Sequence, residues 1–172
     1  MQFDRRSMLL GGAGLLGLAA CGQSQAQTMK GIPPKGAEAR FANSPFRKVS
    51  DSEWAKRLPG DAYQILRHED TEPPGTGPFL NEKRKGAYVC RGCELPLFKS
   101  EWKYESGTGW PSFWECIKEN VGTKSDFLIG YERIEYHCAR CLGHQGHIFD
   151  DGPRPTGLRY CNNGWSLKFV AA

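Results

Sequence analysis

Four cysteines in two C-x-x-C pairs constrain the fold of this chain more than any other feature. The pairs are Cys90 with Cys93 in CRGC, and Cys138 with Cys141 in CARC. A tight turn brings positions i and i+3 together, so each pair can offer two thiolates to one metal ion. Two pairs complete the tetrahedral four-sulfur site that Zn²⁺ favours. We therefore predict one structural Zn²⁺ per chain. Structural zinc is worth roughly 10–16 kcal/mol in small zinc domains, so its loss should cost much of the stability.

Two other uses of these cysteines stay open on the sequence alone. Disulfides persist in exported proteins, so the pairs could be oxidised. Alternatively, CARCLGHQGH spaces Cys138, Cys141, His144 and His147 by three, and these four could share one metal. On a helix the first and last would lie about 13.5 Å apart, at about 1.5 Å per residue. Ligands must come within about 2.0–2.3 Å of one ion, so only a sharp turn would permit this arrangement.

The N-terminal residues have the pattern of an export signal. Arg5 and Arg6 precede an apolar run from Met8 to Ala20. The run is shorter than the about 20 residues that a membrane-spanning helix needs. The paired arginines favour the twin-arginine route, and we predict a signal over residues 1–20.

Two cleavage sites fit this signal, and both predict a location on the periplasmic side. LAAC, ending at Cys21, predicts a lipoprotein anchored to a membrane through that cysteine. SQA, residues 24–26, predicts release of a soluble protein. The polar segment 21–45 contains Pro and Gly without periodicity and predicts a flexible tether. The folded domain is then expected over residues 46–172.

The charge pattern argues against a nucleic-acid partner. The formal net charge of the 172 residues is +4, and Lys and Arg are interspersed with Asp and Glu. The chain has no basic run of the kind that binds nucleic acid.

The element pattern predicts a mainly β domain that follows two short helices. Ser50 and Glu53 stand where a capped helix begins, and Asp61 stands where a second helix would be capped. Short apolar runs between Gly, Pro, Asn and Asp then predict antiparallel strands. The strongest of these runs is FLIGYERIEYHC, residues 127–138. Its alternation slips by one residue, which predicts a bulge or bend in the middle.

Cys161 and two histidines are the candidate reactive groups outside the cysteine pairs. Histidine suits proton transfer near neutral pH, and His144 and His147 both lie in HQGH. Arg159 precedes Cys161 by two residues, so on a strand it shares the same side and its charge favours thiolate. Spacing alone also fits a buried core cysteine. Trp110, in GTGW, can either form the wall of a pocket or pack in an ordinary turn.

Four blocks of sequence together are similar to the peptide-methionine (R)-S-oxide reductases. The blocks are RGCELPLF, YESGTGWPSF, HCARCLGHQGHIFDDGPRPTGLRYCNN and SLKF, and the resemblance covers roughly residues 46–170. It implies two antiparallel sheets with N-terminal helices and a structural zinc on the four paired cysteines. It also implies that Cys161 is the nucleophile and that Trp110 receives the S-methyl group. The polar groups that it places around the sulfoxide and the thiol are His144, His147, Asn163, Arg159 and Asp151.

The resemblance implies a reaction with two partners. The thiolate of Cys161 attacks the sulfoxide sulfur of oxidised proteins bearing methionine-R-sulfoxide, while His147, helped by His144, delivers a proton to the leaving oxygen. Cys161 becomes a sulfenic acid, which a second thiol must reduce. We expect a thioredoxin-like reductant and a monomeric enzyme.

Departures from the family pattern concern the second thiol and the pocket rim. Many members carry a resolving cysteine in the loop before the tryptophan, whereas this chain has Thr108 there. Cys116 is the remaining candidate for that role, although it can also be a packed core residue. Gln145 and Trp165 differ from the usual residues at their positions and would reshape the rim. A zinc-stapled binding module and a Cys-His hydrolase are the competing hypotheses; the hydrolase lacks a recognisable oxyanion loop.

Overall fold

The computed structural model of the chain describes residues 31–172. The predicted export signal and its cleavage sites, including Cys21, lie outside the described residues. Within residues 31–172, no helix combines the length and the apolar character needed to cross a membrane.

Two short helices lead into the domain. Helix α1 spans Asp51–Arg57 and helix α2 spans Gly60–His68. As predicted, Ser50 caps α1, since its side chain accepts the N–H of Glu53 at 3.3 Å. The predicted cap of α2 is wrong. Pro59 occupies the N-cap without a side-chain hydrogen bond, and Asp61 lies in the first turn, where a negative charge favours the helix dipole.

Nine strands among the described residues form two antiparallel sheets, which confirms the predicted fold class. The strands are β1 Gly86–Cys90, β2 Pro96–Lys99, β3 Lys103–Tyr104, β4 Ser112–Phe113, β5 Val121–Asp126, β6 Arg133–Cys138, β7 His144–Phe149, β8 Arg159–Asn162 and β9 Leu167–Ala171. The smaller sheet has the order β2-β1-β9, and the larger has the order β3-β4-β8-β7-β6-β5. Strands β7 and β8 occupy the centre of the larger sheet, where both are paired on each side.

The first half of the strongest predicted strand is not a strand. Strands β5 and β6 form a hairpin in which Asp126 pairs with Arg133, and residues 127–132 form the turn between them. The N–H of Gly130 donates to the Phe127 carbonyl at 3.0 Å. Gly130 has φ +88°, a conformation that glycine adopts without strain. The slip in alternation therefore marks the place where the turn ends and β6 begins. The apolar residues of the turn alternate as those of a strand would.

Aromatic side chains join the two sheets. Phe98 of β2 stacks on Phe113 of β4 with ring centroids 4.1 Å apart, and Tyr88 of β1 meets Phe113 edge-on at 5.0 Å. Tyr160 of β8 packs edge-on against Phe98 at 6.0 Å. All four rings are fully buried. Trp54 of α1 joins the same core, so the helices and both sheets share one hydrophobic interior.

Residues 31–45, which fall in the predicted tether, include a short 3₁₀ helix at Ala37–Phe41. Glu38 lies in this helix, and its carboxylate is 2.9 Å from Nε2 of His137 on β6. Arg47 donates to the backbone carbonyls of Glu38 at 2.7 Å and Ala139 at 2.8 Å. These contacts hold the 3₁₀ helix against the end of β6.

Candidate active site and metal centre

The four paired cysteines meet in one buried cluster. Their sulfur atoms all lie within 4.8 Å of one another. Cys90 Sγ is 3.6 Å from Cys141 Sγ, and Cys93 Sγ is 3.4 Å from Cys138 Sγ. Four sulfurs at about 2.3 Å from a tetrahedral Zn²⁺ are about 3.8 Å apart, so the cluster fits this ion. The ends of β1 and β6 and the turns that follow them supply the cysteines, which joins the two sheets at this point.

The cluster matches neither of the two other arrangements that the sequence left open. Sulfurs in a disulfide are about 2.05 Å apart, and all cysteines of residues 31–172 are free thiols. The cluster contains neither His144 nor His147.

Cys161 occupies a row of polar side chains that crosses the larger sheet. It pairs directly with Ser112 of β4 on one side and with His147 of β7 on the other. His147 in turn pairs with Glu135 of β6. Directly paired residues point to the same face, with Cβ atoms about 4.5–5.5 Å apart. Gly146 permits the close approach of β7 and β8, since a Cβ there would collide with the carbonyl of Cys161.

A cavity of about 120 Å³ opens over this row. It is lined by Thr71, Trp110, Arg133, Gly146, His147, Phe149, Cys161, Asn162 and Asn163. A cavity of about 150 Å³ can hold a benzene-sized ligand, so this one suits a single side chain. A wider groove of about 870 Å³ lies elsewhere, along residues 80–87 and the end of the chain, and no cysteine or histidine lines it.

Asp126 supports His147 from the end of β5. Its Oδ2 lies 2.7 Å from His147 Nε2 and 2.5 Å from Nη2 of Arg133. The N–H of Leu128 donates to the same carboxylate, and this hydrogen bond contributes most to lowering the pKa of Asp126 to about 2. Burial lowers the pKa of His147 below its usual value, and Asp126 opposes that effect. His147 is therefore a half-buried imidazole whose protonated form the ionised carboxylate of Asp126 stabilises.

His144 lies behind His147 and does not line the cavity. The two rings meet edge-on at 5.5 Å, and His144 is 1% exposed. Its Nδ1 lies 3.1 Å from the carboxylate of Glu135, which is 3.1 Å from Lys124 Nζ. Burial acts to raise the pKa of Glu135, but His144 and Lys124 outweigh it, so the net shift is downward. The position of His144 suits an electrostatic effect on His147 better than direct contact with a ligand.

Cys161 is half-buried and faces the cavity. Burial raises the pKa of its thiol above the usual value, while the charge of Arg159 and the nearby Thr108 side chain oppose that shift. Asp151 binds the guanidinium of Arg159 with two hydrogen bonds, of 2.7 and 2.8 Å. This guanidinium also lies over the Phe149 ring at 4.2 Å. Arg159 and Asp151 thus act beside the thiol rather than in the cavity.

Glu72 connects the tryptophan wall to the loop after β8. Trp110 Nε1 donates to the Glu72 carbonyl at 3.0 Å, and the N–H of Glu72 donates to Oδ1 of Asn163 at 3.1 Å. The buried Glu72 carboxylate accepts the N–H groups of Gly164 at 2.7 Å and Trp165 at 3.0 Å. Burial raises the pKa of Glu72, although these two hydrogen bonds oppose the shift. One residue therefore fixes both Trp110 and Asn163 at the cavity.

The remaining predicted residues lie outside the cavity. Cys116 is 3% exposed, and burial raises the pKa of its thiol to about 12. It lies beside Tyr160, which points to the opposite face of β8 from Cys161. The buried Gln145 accepts a hydrogen bond from Ser166 Oγ at 2.9 Å. Neither Gln145 nor Trp165 lines the cavity.

Sequence reasoning missed several residues of the site: Thr71, Glu72, Asp126, Arg133, Glu135 and Phe149. Asp126 and Arg133 were hidden because residues 127–138 looked like one strand; with the turn recognised, both fall at the base of a hairpin. Glu72 lies in TEPPGTG, a loop without periodicity, so the sequence pattern held no signal for it.

The geometry combines three groups that a redox reaction at sulfur needs. Cys161 offers a nucleophilic sulfur, and His147 offers a proton donor directly across the strand pair. Trp110 and Phe149 offer aromatic surface in the same cavity. Such surface suits a thioether or methyl group, since sulfur and aromatic rings attract each other.

The chain is similar to known proteins over most of the described domain. A model of the SelR domain matches residues 58–171. The peptide methionine sulfoxide reductase MsrB of Leptospira interrogans is 52% identical over 121 residues, which are 70% of this chain and 92% of that protein. The MsrB of Agrobacterium fabrum is 48% identical over 127 residues, 73% of this chain and 94% of that protein. The chloroplastic peptide methionine sulfoxide reductase B1 of Arabidopsis thaliana is 50% identical over 127 residues, 73% of this chain and 63% of that protein.

Proposed function

The chain belongs to the SelR-domain family of peptide methionine sulfoxide reductases, and on this basis we propose that Cys161 reduces methionine-R-sulfoxide in oxidised proteins. Family membership makes the chain an oxidoreductase that acts on methionine sulfoxide. The observation that carries the finer proposal is the direct pairing of Cys161 with His147 at the floor of a cavity for one side chain.

The cavity would receive the sulfoxide end of the methionine side chain. Trp110 and Phe149 would contact its methyl group, and their apolar surface favours burial of that group. Asn163 and His147 are polar groups on the same cavity wall, and they would orient the sulfoxide oxygen. The hydrogen bonds of Glu72 keep Trp110 and Asn163 in place before the substrate arrives, so little ordering is needed on binding.

The reaction transfers oxygen from the substrate sulfur to the enzyme. The thiolate of Cys161 attacks the sulfoxide sulfur, and protonation of the oxygen by His147 weakens the S–O bond. An S–S bond to Cys161 forms as the S–O bond breaks, and the protonated oxygen leaves as hydroxide. Hydroxide then attacks the Cys161 sulfur, and the S–S bond breaks with its electron pair on methionine, which leaves as a thioether while Cys161 remains as a sulfenic acid. The cysteine sulfur is oxidised by two electrons and the substrate sulfur is reduced by two. Arg159 would stabilise the thiolate, since its charge opposes the burial that raises the pKa of Cys161.

The four-cysteine cluster would hold one structural Zn²⁺. Its support is the donor set itself, four buried sulfurs within 4.8 Å of one another at the junction of the sheets. Cys90, Cys93, Cys138 and Cys141 would be the ligands. A closed four-sulfur site leaves no open position for substrate, so the metal would stabilise the fold and take no part in the reaction.

An external thiol, such as a thioredoxin-like protein, would reduce the sulfenic acid directly. Thr108 stands beside Cys161 and offers no thiol to resolve the sulfenic acid. Cys116 is buried on the other side of β8 and its raised pKa keeps it a thiol. Because the thiolate is the reactive form, Cys116 is poorly suited to this step.

One assay tests the proposed function. Wild type and Cys161→Ser are given the two epimers of N-acetylmethionine sulfoxide with dithiothreitol, and methionine formation is measured. We expect the wild type to reduce the R epimer and not the S epimer, and we expect Cys161→Ser to reduce neither. Equal reduction of both epimers, or unchanged activity of Cys161→Ser, would contradict the proposal.

A further inference from the structure

The turn between β5 and β6 exposes a cluster of large apolar side chains. Phe127 is 63% exposed, Leu128 83%, Ile129 49% and Tyr131 61%. Only two other large apolar residues in the described part of the chain are exposed, Leu142 and Val170. Single exposed apolar residues are ordinary, but four within five positions indicate a surface that binds something. We call these four residues the hairpin tip.

Hydrogen bonds hold the hairpin tip in one conformation. Asp126 Oδ1 accepts the N–H of Leu128 at 2.8 Å, and the N–H of Gly130 donates to the Phe127 carbonyl at 3.0 Å. Ser125 Oγ donates to the carboxylate of Glu132 at 2.7 Å, which joins β5 to the last residue of the turn. An ordered turn loses little conformational entropy when a ligand binds to its side chains.

The base of the hairpin tip is part of the active site. Asp126 ends β5 and contacts His147, whereas Arg133 begins β6 and lines the cavity. Arg133 and Asp126 are paired with each other at 2.5 Å. The tip therefore begins and ends at two residues of the site, one that supports His147 and one that lines the cavity.

The small cavity leaves the rest of a polypeptide substrate outside. About 120 Å³ accepts one side chain, so the residues on either side of the methionine must lie on the rim. Methionine is an apolar residue of cores and apolar interfaces, and its oxidation disrupts those regions. A protein damaged in this way presents methionine sulfoxide among apolar neighbours that have lost their packing.

We propose that the hairpin tip binds apolar side chains that flank methionine sulfoxide in locally unfolded, oxidised polypeptides. The inference rests on the proposed function and names its preferred substrate as a peptide segment rich in apolar residues. Burial of apolar side chains on both partners would supply the affinity. The tip would act on substrate capture, whereas the reaction at Cys161 would be the same for free and protein-bound methionine sulfoxide.

The test compares three substrates on matched variants of the 172-residue chain. The substrates are N-acetylmethionine-R-sulfoxide, a peptide with methionine-R-sulfoxide between leucines, and the same peptide with serines in place of the leucines. The variants are Ile129→Ser combined with Tyr131→Ser at the tip, and Val170→Ser as an exposed apolar control on β9. Thermal unfolding checks that each variant folds, and Ile129→Ser alone replaces the double variant if the latter does not.

We expect wild type to favour the leucine peptide over the serine peptide by about tenfold in kcat/KM. The tip variant should lose this preference, while its kcat/KM for N-acetylmethionine-R-sulfoxide stays unchanged. The Val170→Ser control should behave as wild type. A tip variant that retains the preference, or that slows all three substrates equally, would overturn the inference.

A membrane surface is the alternative occupant of the hairpin tip. Sedimentation with vesicles of phosphatidylglycerol and phosphatidylethanolamine tests it. Vesicle binding that the tip variant loses, together with an unchanged peptide preference, would overturn the inference in favour of a membrane. Failure of the wild type on all three substrates would refute the proposed function itself, and the inference with it.

Discussion

Replacing Asp126 by Asn should lower activity through the acid–base state of His147. The carboxylate of Asp126 lies 2.7 Å from His147 Nε2 and raises the pKa of that imidazole. Burial opposes it and keeps the net pKa of His147 below the usual value, whereas burial raises the pKa of Cys161. Two states of these side chains carry one proton between them: thiol with neutral imidazole, and thiolate with imidazolium. The second is the pair proposed to react, and these opposite pKa shifts make it the less populated one.

The expected size follows from this equilibrium. At pH values between the pKa of His147 and the pKa of Cys161, the fraction of enzyme with thiolate and imidazolium is proportional to a ratio. This ratio is the acid dissociation constant of the thiol divided by that of the imidazolium. Loss of a nearby opposite charge shifts a pKa by about one unit or more. One unit corresponds to about 1.4 kcal/mol. Asp126→Asn should then lower the plateau of kcat/KM about tenfold and move its acidic limb down by about one pH unit. The alkaline limb should stay in place, because it reports the thiol.

The assay is the pH profile of kcat/KM for N-acetylmethionine-R-sulfoxide. Glu132→Gln is the matched control, since it removes one negative charge from the same hairpin without contact to His147. The control should retain the wild-type profile. A plateau that falls without movement of the acidic limb would show that Asp126 acts only on structure, and an alkaline shift of that limb would refute the reasoning.

Three other substitutions test separate parts of the structure. Cys93→Ser should abolish the metal content measured by mass spectrometry and lower the free energy of unfolding by roughly 10 kcal/mol, enough to unfold much of the domain; a variant that keeps one Zn²⁺ and full stability would contradict the zinc site. Glu72→Gln should lower the free energy of unfolding in urea by about 2 kcal/mol, because one charge-assisted hydrogen bond to a buried backbone N–H is lost. Glu101→Gln, at an exposed position, is its control and should unfold as wild type does. Equal urea midpoints for wild type and Glu72→Gln would contradict the stabilising role of Glu72. Cys116→Ala should keep steady-state turnover with dithiothreitol or thioredoxin within about twofold of wild type; loss of turnover with intact reduction of the first equivalent would instead assign Cys116 as the resolving thiol.

The features that the sequence predicted depend on local pattern. The C-x-x-C pairs, the cap at Ser50 and the short strands around Cys90 and Cys161 each have a signal within a few residues. The predictions that went wrong also rest on local pattern. Apolar residues in the 127–132 turn imitated a strand because alternation does not reveal which side faces solvent.

The supporting contacts of the site could not be predicted because they join distant segments. Glu72 reaches Asn163 across the chain, and Asp126 reaches His147 through strand pairing. Neither contact leaves a periodic signal, since the partners lie far apart in the sequence. Only the register of β5 to β8 decides which carboxylate meets which histidine.

The central claim is that Cys161 receives the oxygen of methionine sulfoxide. The direct measurement is a single turnover with one equivalent of methionine-R-sulfoxide peptide and no reductant, with dimedone as the trap and mass spectrometry to locate the modified cysteine. The structure predicts one equivalent of methionine and a dimedone adduct on Cys161 alone. Formation of methionine with an unmodified Cys161, or with the adduct on another cysteine, would contradict the claim.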